Sequence, residues 1–386
     1  MSNDQTMSSK HSNSFHSIHM QASLLVFMLL LLGGCVEPFA PPEIASAERY
    51  LVIDGFLNTG LESSQIQLKR TQNVSDTSAP AAELKAQVTV EGDLGSHYVF
   101  TEEANGVYRL GAQQLNENEQ FRLRIITANG KEYLSAFVPV IRTPLIDSVR
   151  SVVDRQQGGA QFYVTTHDPL NKTRFYRWKY EETWEFRTPF YSNLEVTRDT
   201  ILWRTEDIST CWQTELSTNI LVGSSIHLSQ DIIQDFPITF AASSTDKLLY
   251  KYSILVKQFG LSQDGFEYWT RLAKTTQNTG GIFDPLPSQV TGNIQCMSNP
   301  KELVFGYFSA SSVSEKRIFL TASMGQYPYC ELGDTLTYLE ALIAPDLIIS
   351  PYYPPNNPVP LYVMAPTACA DCRLHGGINV KPAFWP

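Results

Sequence analysis

The sequence predicts a mainly β protein. Its expected parts are an N-terminal immunoglobulin-like or prealbumin-like sandwich and a larger β-sandwich-type domain with one or two short helices. Three observations lead there. Apolar and polar residues alternate with period two from about Tyr50 onward; turn signals interrupt the alternation; and one stretch alone stands out with helical apolar spacing. Period two places residues i and i+2 on one face of a strand, which is what a half-buried sheet requires.

In the first part, Gln65-Ile66-Gln67-Leu68, Ala86-Gln87-Val88-Thr89-Val90, Tyr98-Val99-Phe100, Phe121-Arg122-Leu123-Arg124-Ile125 and Tyr133-Leu134-Ser135 alternate. Glu91-Gly92-Asp93, Asn105-Gly106 and Asn129-Gly130 supply the turns between them. These strands define a first domain over 45–142, with Pro139 and Pro144 at its exit. The second, 143–386, opens at Ile146. There Phe162–His167, the turn Asp168-Pro169-Leu170-Asn171, and Arg174–Tyr180 with its central Trp178 read as one sandwich hairpin. Leu248–Phe259 reads as a long strand with Lys247, Lys251 and Lys257 on its polar side. The helix follows, with Ser262 as N-cap, Phe266, Trp269, Leu272 and Ala273 on one face, Lys274 near its end and Gly280-Gly281 as the stop. Leu303–Phe308 and Arg317–Thr321 are further strands. Seven prolines between 345 and 366 predict a rigid, irregular surface strap.

Composition narrows the function. The chain has 386 residues, 43% hydrophobic and 18% charged, with a formal charge of −10. That apolar content supports a packed core and excludes wholesale disorder. The acidic balance, without a Lys/Arg run, removes a nucleic-acid-binding reading.

The amino terminus supplies an address. Leu24–Leu32 is an unbroken apolar run, far below the ~20 residues of a spanning helix, and reads as the core of a secretory signal. Leu32-Gly33-Gly34-Cys35 resembles the bacterial lipobox, in which the cysteine is lipidated and becomes the first residue after cleavage. Residues 1–34 are then a lipoprotein signal peptide, Cys35 the lipidation site, and 35–44 a tether kept extended by Pro38, Pro41 and Pro42. This places the chain in a bacterial envelope, an oxidising compartment.

Catalytic signals are sparse, and no catalytic residue, metal site or cofactor is assigned. The histidines of the mature chain are His97, His167, His227 and His375, and none falls in a metalloprotease or nucleophile-elbow motif. Gly223-Ser224-Ser225-Ile226-His227 lacks elbow spacing and reads as a turn before a strand. Glu181/Glu182 and Glu206/Asp207 are carboxylate pairs, but adjacent residues of a strand point to opposite faces. Asp168 and Asn171 fit a side-chain-capped turn better than a calcium loop. Trp178, Trp184, Trp203, Trp212 and Trp269 lie in apolar-patterned elements and are expected in the core. Five cysteines remain beside Cys35: Cys211, Cys296, Cys330, Cys369 and Cys372. Cys369-x-x-Cys372-x-x-His375 with Cys330 has the spacing of a zinc set, whereas the compartment favours one or two disulfides involving Cys330, Cys369 and Cys372. Five is odd, so at least one thiol stays free or pairs between chains.

Several strings together carry a resemblance. They are the lipobox, Tyr50-Leu51-Val52-Ile53-Asp54-Gly55, Asp168-Pro169 with Phe175-Tyr176-Arg177-Trp178, and Gly281-Ile282-Phe283-Asp284-Pro285-Leu286-Pro287 with Gly292-Asn293-Ile294. To these add Phe305-Gly306-Tyr307-Phe308-Ser309-Ala310-Ser311, Lys316-Arg317 and the tail from Cys369 to Trp385. Over nearly the whole mature chain this resembles the Bacteroidota lipoproteins grouped as domain of unknown function four-two-four-nine. Members of that family tend to be encoded beside TonB-dependent receptors. The resemblance therefore implies an outer-membrane-anchored accessory lipoprotein, not an enzyme, that binds a TonB-dependent transporter, its ligand, or both in nutrient uptake. The alternatives are a structural or assembly lipoprotein for adhesion, gliding or outer-membrane machinery, and a hydrolase with an unrecognised carboxylate site. The expected location is the outer membrane, at the cell surface rather than the periplasmic face, although Glu37 stands alone where surface export is associated with an acidic cluster. No catalytic residue is carried over from the family.

Overall fold

Alternation at Leu51–Asn58 buries Leu51, Ile53 and Leu57 and makes this strand the axis of the first sheet. In the computed structural model, which describes residues 49–386 except 74–75, 278–289, 328 and 345, the protein is mainly β, as predicted. Leu51–Asn58 pairs antiparallel with Ser64–Arg70, which pairs in turn with Val107–Leu110. A second group forms around Gln120–Ile126, flanked by Gln87–Gly92 and Glu132–Ser135. Asn105 and Gly106, both at positive φ, turn the chain ahead of Val107–Leu110.

The two groups are joined by residues from far along the chain. Ala310–Ser311 lies parallel to both Leu57–Asn58 and Val140–Ile141, Val304–Phe305 lies parallel to Leu51–Val52, and Ile294–Cys296 extends the Glu132–Ser135 edge. The position at 142 therefore does not separate the sheets, because the return segment 294–311 completes the first one. Its Val304, Phe308 and Ala310 enter the same core as Ile66, Val88 and Phe121. Glu302 fastens the return electrostatically, meeting Lys131 Nζ at 2.5 Å and accepting from Tyr133 OH at 2.6 Å.

Two glycines permit this seating. Gly306 has φ +118°, and a Cβ there would stand 2.0 Å from Ile53 O; one at Gly292 would stand 1.7 Å from Gly306 O. Gly306→Ala is expected to lower stability by at least ~1–3 kcal/mol, the usual cost of such strain before any clash is relieved. Urea titration checks this, and an unchanged midpoint would mean that the return strand is not seated as described.

The second region has two sheets around one core. Ile146–Asp154, Gly159–His167 and Ile232–Ala242 form the first; Thr210–Leu216, Phe175–Arg187, Lys251–Leu261 and Val313–Thr321 form the second, with Leu221–Ser224 also on Phe175–Arg187. The expected hairpin at Asp168–Asn171 is instead a crossover. Gly159–His167 and Phe175–Arg187 belong to different sheets, because Asp168 accepts from the backbone N–H of Leu170, Lys172 and Thr173 and turns the chain from one layer to the other.

The helix α1 spans Gln263–Gln277, and Ser262 Oγ accepts from Gly265 N at 3.2 Å as the expected cap. It covers the outer face of the second sheet: Phe266 meets Phe175 at 5.0 Å, and the Arg177 guanidinium lies 3.4 Å from the Trp269 ring centre. Burial there pushes the Arg177 pKa down to about 10. The stop at Gly280-Gly281 lies outside the described residues.

A small lobe completes the structure. The hairpin Leu194–Thr197/Thr200–Trp203 packs on a three-stranded sheet of Thr335–Leu336, Leu361–Ala365 and Leu347–Tyr352, with helix α2 at Tyr338–Ile343. The proline-rich strap is thus not irregular throughout: strands flank its central prolines. Pro351 is tolerated because Leu347–Tyr352 is an edge strand.

Candidate functional site

The crossover at Asp168 borders a concave cleft. Residues 142–145, leaving the first sheet, are pinned on both sides. Gly260 N donates to Thr143 Oγ1 at 2.9 Å, and Thr173 Oγ1 donates to Arg142 O at 3.0 Å. Thr143 N donates to Ser312 Oγ at 2.9 Å, and Thr143 Oγ1 also donates to Ser312 O. Between these strands, the Asp168 turn and the start of α1 lies a cleft of about 1050 Å³. This is the volume class of small-ligand sites.

Its floor is apolar, with Ile141, Phe175 and Leu261, and Leu145 and Leu170 stand on it 79% and 61% exposed. Its lining also carries Glu117, Arg142 and Lys172, all exposed, and the half-buried Arg174, whose guanidinium donates to Ser225 O and Leu228 O. At one end, strand register brings His167 beside Asp147, with Nδ1 2.7 Å from Oδ2. The hydrogen bond and charge of Asp147 raise the His167 pKa, and Asp231 and Asp168 add to this. Asp168 behaves differently. Burial alone would raise its pKa, but the N–H groups of Thr173, Leu170 and Lys172 hold it below the usual value. The arrangement can orient a ligand between two exposed cations and an apolar floor. The cleft's Ser262 and Ser312 hydroxyls accept from backbone N–H groups.

The raised His167 pKa has a defined sign. The folded state favours the imidazolium, so its contribution is complete below the ordinary value of 6.5 and is lost as pH rises through the raised value. NMR titration is expected to place His167 above 6.5, and Asp147→Asn to bring it back down. A His167 midpoint unmoved by Asp147→Asn would refute the pairing.

The other sequence candidates are placed as follows. Cys35 lies outside the described residues. Cys330 bonds Cys369 and Cys372 bonds Cys211, so Cys211, left out of the expected set, belongs to it. Cys369 and Cys372 sit in different bridges, which dissolves the zinc spacing; His375 Nε2 instead lies 2.6 Å from Ala368 O. Cys296 is free and buried in the first core. Ser225 Oγ donates to the buried Asp231 carboxylate, which also accepts from Tyr176 OH, while His227 is exposed. Glu181 and Glu182 diverge as expected, the first to Arg317 at 2.9 Å and the second to Lys247 at 3.0 Å. Glu206 and Asp207 serve Asn379 and Ser209. Asp168 caps its turn. Trp178 and Trp184 are core residues, but Trp203, expected there too, is 68% exposed. The His167–Asp147 pair and Asp231 carried no sequence signal, since their partners are distant in the chain.

Among solved structures, the chain is similar to a DUF4785 family protein from Legionella pneumophila, at 10% identity and a TM-score of 0.18. That alignment covers 54% of this chain and about half (52%) of the other. It is also similar to CBD12 from CALX1.2, at 9% identity and a TM-score of 0.14, covering 70% and 100%. Neither likeness reaches the level at which folds correspond. A search of curated proteins finds no match. The model of the domain of unknown function DUF4249 matches residues 36–317, most of the chain. The protein therefore belongs to the DUF4249 family.

Proposed function

We propose that this chain is an outer-membrane lipoprotein of the Bacteroidota type, anchored through lipid on Cys35, that binds a TonB-dependent transporter, its ligand, or both. It acts by binding rather than by catalysis. The observation that carries the reading is the cleft of about 1050 Å³ between the first sheet, the Asp168 crossover and α1, with cations in its lining and an apolar floor. The lipobox string Leu32-Gly33-Gly34-Cys35 supports the anchor. A lipid anchor confines the cleft to within a tether's length of a membrane receptor, which raises the effective concentration of the pair.

The test is a mild-detergent pull-down of the tagged, lipidated protein with its partners quantified, beside Cys35→Ser and Arg142→Glu/Lys172→Glu variants. The expected result is a stoichiometric TonB-dependent transporter that is lost with Cys35→Ser, together with weaker ligand retention in the cleft variant. Recovery of the protein alone, or with envelope machinery of another kind, overturns the transporter reading in favour of a structural or assembly role.

A further inference from the structure

The small lobe concentrates exposed apolar surface. On α2, Leu339 and Ile343 stand one turn apart on the same side, 75% and 86% exposed, while Ala341 turns into the lobe core. Trp203 is paired with Leu194, so the two share a face of the hairpin; Leu194 enters the core, yet Trp203 remains 68% exposed and overhangs it. Tyr338 OH donates to Asp199 O at 3.3 Å, joining helix and hairpin turn into one surface. Tyr329 and Tyr353, at 85% and 63%, extend the exposed aromatic character of the lobe. Scattered apolar residues need no explanation, but such a concentration on one small lobe marks an interaction surface.

Charge states what fits it. Residues 318–372 contain no lysine, arginine or histidine but carry Glu331, Asp334, Glu340, Asp346 and Asp371. Among the described residues, the ion pairs near the lobe, Arg204–Glu195 and Arg373 with Asp371 and Glu206, leave Glu331, Asp334, Glu340 and Asp346 without a cation. Arg198, in the hairpin turn, sits next to Asp199. An acidic field around an apolar centre repels anionic lipid headgroups and another copy of itself, and attracts a basic surface.

We infer that the lobe is a docking face for a partner protein that presents Lys or Arg around aliphatic or aromatic side chains. The anchors are Trp203, Leu339 and Ile343, and the acidic rim steers and orients the encounter. The inference does not rest on the cleft or on a transporter as the partner.

The test uses the full-length protein in its own cells. A photoreactive benzoylphenylalanine replaces Trp203, Leu339 or Ile343 in turn, with exposed Leu94 on the first sheet as control. The cross-linked peptides are sequenced. The expected result is a protein adduct enriched at the three lobe positions over Leu94, with Lys or Arg in the captured peptide. Its yield should fall at least ~5-fold with Asp334→Lys/Asp346→Lys and persist with Asp334→Glu/Asp346→Glu. Lipid adducts, adducts to a second copy, equal capture at Leu94, no capture, or a yield indifferent to the charge reversal would each overturn the inference. Failure of the transporter pull-down leaves this outcome unaffected, so the two readings fail separately.

Discussion

Trp178→Ala is expected to destabilise the protein by about 3–5 kcal/mol, the range for removing a large aromatic from a packed core. Trp178 is fully buried, stacked 4.3 Å from Phe236 and 5.8 Å from Tyr176. Its Nε1 donates to Gln258 Oε1 at 2.9 Å, and Gln258 Nε2 donates in turn to Pro144 O and Thr166 Oγ1, each at 2.9 Å. Truncation therefore opens a cavity and also leaves a buried amide oxygen without its donor, at an added cost of about 1–3 kcal/mol. Trp178→Phe keeps most of the ring volume and loses the donor, so it separates the two effects. Urea unfolding followed by fluorescence of the remaining tryptophans measures both. A loss below about 1 kcal/mol for Trp178→Ala would contradict the packing described.

Removing the Cys211–Cys372 bridge is expected to cost about 2–5 kcal/mol. It joins residues 161 apart, whereas Cys330–Cys369 joins residues 39 apart. Closing the longer loop removes more freedom from the unfolded chain, so its loss should be the larger of the two. The bridge also sits where the C-terminal tail adheres: Cys372 N donates to Ile208 O at 2.7 Å, and Trp212 exchanges two backbone hydrogen bonds with Ile378, each 2.9 Å. The double variant Cys211→Ser/Cys372→Ser avoids a stray thiol and should be compared with Cys330→Ser/Cys369→Ser in non-reducing urea titrations. Peptide mapping of the unreduced protein must recover 211 with 372 and 330 with 369. Equal losses, or another pairing, would defeat the prediction.

Local chemistry made much of the fold legible. The alternation at Phe121–Ile125 and the Asn105-Gly106 turn act within a few residues, and both stand as read. Ser262 caps α1 for the same reason, since the cap and the N–H of Gly265 that donates to it lie three residues apart. Distant pairings left no such trace. Nothing near Ile294, Val304 or Ala310 announces that they complete a sheet begun at Leu51. Nothing around Asp168 distinguishes a hairpin from a crossover until the partners of the flanking strands are known. Trp203 shows the same limit, because apolar patterning marks a strand but not whether another layer covers it.

By itself the sequence determined that this is a β protein with one substantial helix, a lipobox-like amino terminus, an acidic balance and enough cysteines for two bridges. These are properties of composition and near-neighbour geometry. The tertiary structure alone decided that Cys211 rather than another cysteine meets Cys372, that His167 meets Asp147, and that a cleft opens beside Thr143. It alone decided, too, that Leu339 and Ile343 stay in solvent on the small lobe. Each depends on residues tens to more than a hundred positions apart, and only the packing of whole sheets brings them together or keeps them exposed.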